Sequence, residues 1–183
     1  IKPGLHMDVI KGKGNYSFTS TVYYRVKYSV PSYAKTTVAK TTYSGKAQAA
    51  KITVKNGSKT LKAGRDYVVS GTTKAKNAGK YRIKITGKGN YAGSKTITYT
   101  ISKCNQKWIG IKTNNTSKKI AVSGVKGKAK VAYATNNSKV KVSGGKISIA
   151  KGVKSGTKVK ITVKVGATKN FNAYKKTITY VVK

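Results

Sequence analysis

Apart from lysines and tyrosines, only four side chains of this 183-residue chain belong to the usual acid, base, metal-ligand or thiol chemistry: His6, Asp8, Asp66 and Cys104. Glutamate is absent. Two carboxylates, one imidazole and one thiol, dispersed along the chain, are too few for a structural or catalytic metal set. A nucleophile triad is starved in the same way, because His6 is the only histidine that could serve as its base. Cys104 has no second cysteine to pair with and reads as a small, partly buried thiol. Asp66, just before Tyr67, reads as a turn residue that accepts hydrogen bonds from backbone N–H groups or a lysine. The remaining route to catalysis is a lysine of depressed pKa, but alternation with apolar residues puts most lysines on solvated strand faces. The expectation is therefore no catalytic residue, no metal and no cofactor.

What the chain has in abundance is positive charge. Forty Lys and Arg stand against two acids, a formal charge of +38. Such a surface attracts anionic polymers and repels copies of itself. Arginine, the side chain suited to bidentate phosphate contacts, occurs only three times, which favours diffuse lysine affinity over shaped recognition. Tyr23, Tyr24, Tyr28 and Tyr33 lie among the lysines and suggest base stacking, although alternation assigns about half of such residues to a core. The candidate contact residues are Lys84, Lys88, Lys95, Lys141, Lys158, Lys160 and Lys164. The expected partners are cell-wall teichoic acid, sulfated or sialylated glycans, and extracellular nucleic acid. Gly12-Lys13-Gly14 and Gly87-Lys88-Gly89 superficially resemble phosphate-cradling loops, but neither has a Walker pattern with a following helix, and both read as turns.

The elements that must carry these lysines are strands. Lys158 to Val165, Lys146 to Ile149 and Tyr81 to Ile85 alternate polar and apolar residues, and no stretch has helical periodicity. Ala49 to Val54 is a further candidate strand, and Asn56-Gly57 a hairpin turn. A repeat organises them. Gly12-Lys13-Gly14-Asn15-Tyr16, then Thr21 to Val26, returns seventy-five residues on as Gly87-Lys88-Gly89-Asn90-Tyr91, then Thr96 to Ile101. Asn170-Phe171, then Thr177 to Val182, is a looser third copy. Three unit endings but two complete units predict an all-β chain: the terminal strands of a truncated unit in residues 1–35, then β-sandwiches over 36–101 and 102–183. Val, Ile and Tyr are expected inward and Lys outward. No apolar run approaches the roughly 20 residues of a membrane-spanning helix, so no membrane insertion is expected.

The middle unit, through Tyr43-Ser44-Gly45-Lys46, Leu61 to Tyr67, Asn77-Ala78-Gly79 and Gly87 to Tyr91, resembles the immunoglobulin-like repeats of large surface and secreted proteins of Gram-positive gut bacteria. The last unit, with Asn136 to Val140 and Ile149-Ala150-Lys151-Gly152, is similar to the bacterial Ig-like group 2 type. The resemblance implies tandem Ig-like sandwiches acting as stalk, spacer or adhesive modules, outside the cell or on the wall, and it supplies no catalytic residue. Near-absence of acids departs from the pattern of such repeats. Starting at Ile1, with a partial unit first, the chain reads as a piece of a longer polypeptide with domains upstream. Three other readings are a dedicated polycationic adhesin, an accessory region of a large secreted enzyme, and a filament subunit completed by a neighbour's strand.

Overall fold

In the computed structural model, residues 2–29 and 34–183 are described; Tyr33, one of the tyrosines singled out above, lies outside them. Every regular element among them is a strand, and the fold is all-β. The chain divides into two compact units. One comprises Ile1–Thr41, Ala47–Ala75 and Lys80–Thr100; the other Thr42–Lys46, Lys76–Gly79 and Ile101–Lys183.

The first unit opens with a long hairpin, β1 (Gly4–Lys11) against β2 (Thr19–Val26), followed by the short β3 (Tyr28–Ser29). After it come β4 (Ala34–Val38), β5 (Thr41–Thr42), β6 (Gln48–Ala49), β7 (Ile52–Asn56), β8 (Lys59–Thr60), β9 (Tyr67–Gly71), β10 (Lys74–Ala75), β11 (Gly79–Gly87), β12 (Tyr91–Ala92) and β13 (Ser94–Ser102). They form a four-stranded sheet in the order β5-β13-β11-β9, a three-stranded sheet β4-β7-β8 and the small pair β10-β6. Val54 of β7, Tyr67 of β9, Ile83 and Ile85 of β11 and Tyr99 of β13 are all buried. Burying each such side chain contributes about 1.5–3 kcal/mol, enough in sum to hold a thin core. The expected strand over Ala49–Val54 is instead two with different partners: β6 pairs with β10, extended by the Ala50 N–H donating to the Thr73 carbonyl at 2.8 Å, and β7 pairs with β4. The Asn56-Gly57 turn is present between β7 and β8, with Gly57 at φ +57°.

The second unit contains β14 (Gly110–Asn114), β15 (Lys119–Ser123), β16 (Val131–Thr135), β17 (Val140–Ser143), β18 (Lys146–Ile149), β19 (Lys158–Val165) and β20 (Tyr174–Val181). A four-stranded sheet β14-β15-β18-β17 and a three-stranded sheet β16-β19-β20 share one core. Ile120, Val140 and Ile147 come from the first; Val159, Ile161 and Tyr180 come from the second. This is a sandwich-like arrangement, and β19 shows why it forms: Val159, Ile161, Val163 and Val165 are buried while Lys158, Lys160 and Lys164 between them are exposed.

The sequence repeat is a structural repeat. The Gly12 N–H donates to the Phe18 carbonyl at 2.8 Å, and the Gly87 N–H to the Gly93 carbonyl at 2.9 Å. A Cβ at Gly12 would lie 2.5 Å from the Tyr16 carbonyl oxygen, and one at Gly87 2.8 Å from that of Tyr91, so only glycine closes either loop. The Gly87 loop and the third ending each receive the segment that leaves the preceding ending. The Tyr28 N–H donates to the Asn90 carbonyl at 2.8 Å, and the Cys104 N–H to the Asn170 carbonyl at 2.9 Å. The expectation of inward tyrosines holds for Tyr67, Tyr91, Tyr99 and Tyr180 but fails on the hairpin. Tyr16, Tyr23 and Tyr24 are exposed there, because a two-stranded ribbon has no opposing layer to bury them.

Two substitutions check this core. Ile161→Ala should lower unfolding stability by about 2–5 kcal/mol, the usual range for truncating a fully buried aliphatic side chain. Tyr180→Phe should be neutral or mildly stabilising, because the buried Tyr180 hydroxyl has no hydrogen-bond partner. Chemical denaturation of both variants measures this, and a large loss for Tyr180→Phe would mean that its hydroxyl is engaged.

Candidate polyanion-binding face

A lysine ammonium is strongly hydrated and costly to bury unpaired, so in a chain with two carboxylates the strands must deliver nearly every lysine to water. Thirty-six of the thirty-seven lysines are exposed; Lys95 alone is half-buried. The alternation of β13 explains it. Lys95 shares parity with Ile97, Tyr99 and Ile101, the inward face of that strand. Lys84 lies between buried Ile83 and Ile85 on β11 and faces outward. Alternation thus puts Lys84 and Lys95 on opposite faces of their sheet. Lys88 sits in the Gly87–Gly89 turn, where its backbone N–H donates to the Asp66 carbonyl at 2.9 Å. Lys141 lies on the outer side of the sheet β14-β15-β18-β17, away from β19.

Three of the sequence candidates do converge. Lys158, Lys160 and Lys164 project from the outer face of β19. Residues two apart on a strand are about 6.6–6.8 Å apart, so this row offers charges at intervals an extended polymer can follow. Register completes the face. Lys164 lies directly opposite Lys175 of β20 on one side and Ala132 of β16 on the other. The next row is Ala134–Thr162–Thr177, with the two threonine hydroxyls 3.0 Å apart. Beyond it, the Lys160 N–H donates to Asn136 Oδ1 at 2.8 Å.

Because Ala132 and Ala134 are short, the face is concave over β16. A cavity of about 430 Å³ is lined by Lys130, Ala132, Lys164, Gly166, Tyr174 and Lys175 among others. A second of about 470 Å³ follows on the same face, against Ala134, Asn136, Lys160, Thr162 and Thr177. The first has three lysines and no carboxylate in a lining that is mostly apolar. Lys164 and Lys175, opposed without a counter-charge, destabilise the sheet slightly by themselves, and an anion between them would remove that repulsion. Lys130 and Lys175 were missed by sequence reasoning. Only the β16–β19–β20 register brings them beside Lys164, and no local pattern encodes it.

The remaining chemical side chains are structurally engaged. Asp66 is buried. Its Oδ1 accepts from Arg65 Nε at 2.9 Å, and its Oδ2 from Arg65 Nη2 at 2.9 Å and the Lys62 N–H at 2.8 Å. Its partner is thus an arginine and a backbone N–H, rather than a lysine. The Arg65 hydrogen bond first, then that of Lys62, holds its carboxyl at about 2, against 3.8 ordinarily. Cys104 is half-buried, its backbone bridged to Phe171. Both Gly-Lys-Gly segments are turns between strands. Among the described residues, no three His, Cys, Asp or Glu side chains are grouped to hold a metal ion.

Compared with known proteins, the chain matches no family model, no curated protein and no solved structure.

The Asp66 turn makes a pH prediction. A folded pKa below the unfolded value gives stability that is whole above about pH 4 and is lost as pH falls through about 2. Asp66→Asn should therefore be less stable than the parent at neutral pH, by about 1–3 kcal/mol for a lost charge-assisted bond. That gap should close on acidification from pH 4 toward 2. Denaturant midpoints across the pH series measure it; a gap independent of pH would mean that the carboxylate charge contributes nothing.

Proposed function

We propose that this chain is a non-enzymatic, extracellular stalk or attachment region, built of Ig-like sandwiches, that holds anionic polymers on its lysine faces. It serves a larger bacterial surface or secreted protein, at the cell wall or beyond it. Teichoic acid, sulfated or sialylated glycans and extracellular nucleic acid share the chemistry it needs, a flexible chain of closely spaced anions. One observation carries the reading: thirty-six lysines are exposed to water, while one of only two carboxylates, Asp66, is already paired with Arg65. That is far more cation than protection of sheet edges requires. The composition, with two carboxylates and one histidine, favours a holding role over catalysis. The resemblance of the middle and last units to bacterial Ig-like repeats supports the stalk architecture. Within this reading, the outer face of β16–β19–β20 is the preferred contact, because its lysines surround concave, apolar ground.

Binding of the whole chain to heparin, teichoic acid and duplex DNA should weaken steeply with salt. For duplex DNA the log–log slope is about −0.9 per phosphate neutralised, so six to ten contacts lose roughly 10³–10⁵ between 50 and 200 mM. The triple variant Lys160→Glu, Lys164→Glu, Lys175→Glu should weaken binding by at least about tenfold more than Lys74→Glu, Lys84→Glu, Lys141→Glu, which changes net charge equally. Equal losses would leave diffuse affinity and remove the face. No binding to any of the three polymers at low salt would sink the polyanion reading altogether.

A further inference from the structure

Trp108 is the only tryptophan of the chain and the most exposed large apolar side chain among the described residues, 91% open to water. Its backbone is left-handed, with φ 62°. For a bulky side chain that region is an outlier, and it persists only where the surroundings hold it. An indole placed there serves the fold poorly, since it buries almost no area and sits on strained backbone.

The surroundings that hold it belong to the second unit. Gly110 pairs with Ser123, which brings the entry to β14 beside the exit of β15. At Gly124, with φ +75°, a Cβ would collide with the Trp108 carbonyl oxygen, so glycine is what lets the two segments close. Gln106 is buried and clamps the same segments. Its Nε2 donates to the Lys126 carbonyl at 3.3 Å, and its Oε1 accepts from the Lys126 N–H at 3.1 Å. Trp108 is thus an exposed ring on a braced loop, with exposed Lys107 next to it in the chain and exposed Lys126 across the clamp.

The groups on offer select the ligand. A flat π-face and ammonium groups are available, but the neighbouring amides are engaged within the protein: Gln106 with Lys126, and Asn105 Oδ1 with Asn172 Nδ2 at 2.7 Å. No Asp or Glu lies in the second unit. A sugar ring would need such amides or carboxylates to receive its hydroxyls. A bilayer surface would need a broader apolar patch, whereas Ile109 and Val125 are half-buried. An unpaired nucleobase needs only a ring to stack on and cations for its phosphates.

We infer that Trp108 is a stacking platform for an unpaired base of a single-stranded nucleic acid, whose phosphates are met by Lys107 and Lys126. The site shares no residue with the cavities on the lysine face of β19.

As the only tryptophan, Trp108 reports its own contacts by fluorescence. The full chain is titrated at about 150 mM salt, which limits diffuse attraction, with oligothymidylate and with inorganic polyphosphate of equal charge. Oligothymidylate should quench the indole, while polyphosphate should bind through lysines and leave it unquenched. Trp108→Gly suits the left-handed backbone and should keep an unchanged or higher thermal midpoint. It should nevertheless weaken binding of labelled oligothymidylate at least about fivefold, the low end for one lost base stack. Polyphosphate affinity should not change, and Trp108→Tyr should keep most of the affinity for oligothymidylate. Failure of polyphosphate to bind would sink only the diffuse-charge reading, since quenching by oligothymidylate stands on its own. No quenching by oligothymidylate, or equal losses for both ligands in Trp108→Gly, overturns the proposal. A clearly lowered midpoint in that variant overturns it as well, and makes the ring structural. Trp108-dependent binding to heparin or to anionic phospholipid vesicles, without any to oligothymidylate, assigns the ring to a glycan or a bilayer instead.

Discussion

Unneutralised lysine is the constraint on which the structure rests. An ammonium group cannot be buried without a partner, and this chain offers two carboxylates for forty cations. Each strand that carries lysines must therefore keep one face wet. The apolar residues that alternate with them must then find their cover on the other face, from a second sheet. In the second unit, β19 and β15 do this across one core, with Ile161 and Ile120 inward and Lys160 and Lys119 outward. Lys95 marks the margin of the rule. It occupies an inward position but only near the start of β13, where it stays half exposed while Tyr99 and Ile101, further along, are buried.

The unit endings solve a second problem, how to close a small core at the end where the chain enters. The glycine that begins the turn at Gly12 and Gly87 lets a carbonyl approach where any Cβ would collide, and in the complete unit the aromatic that follows, Tyr91, is buried. The incoming segment is then tied to the loop by its backbone, Tyr28 on Asn90 and Cys104 on Asn170. Lone cysteine and glycine-lysine-glycine thus serve the same closure. The unpartnered hydroxyls of Tyr99 and Tyr180, at equivalent places in two endings, show that ring volume is what this position needs.

Stability and affinity pull against each other on the outer faces. Lys164 opposite Lys175, and Lys119 opposite Lys146, place like charges directly across a ladder. Such pairs weaken a sheet, and water and salt screen them only in part. Short alanines beside the first pair leave room for an anionic group to approach both ammonium groups.

The period-2 patterns of β11, β17, β18 and β19, the outward lysines and the repeated endings were legible in the sequence, because alternation is a local property and burial follows it. So was the poverty of catalytic groups, which composition alone decides. Other features required the tertiary structure. The strand expected over Ala49–Val54 is two because its ends pair with different strands, β6 with β10 and β7 with β4. The seven lysines singled out by type and spacing divide among different faces, since parity within β13 turns Lys95 inward and sheet membership sends Lys141 away from β19. Lys130 and Lys175 joined Lys164 through register between strands, and no window of sequence contains it. The exposed tyrosines of the hairpin have the same cause. Sequence specifies which face of a strand is apolar, but only the packing of other strands decides whether that face is covered.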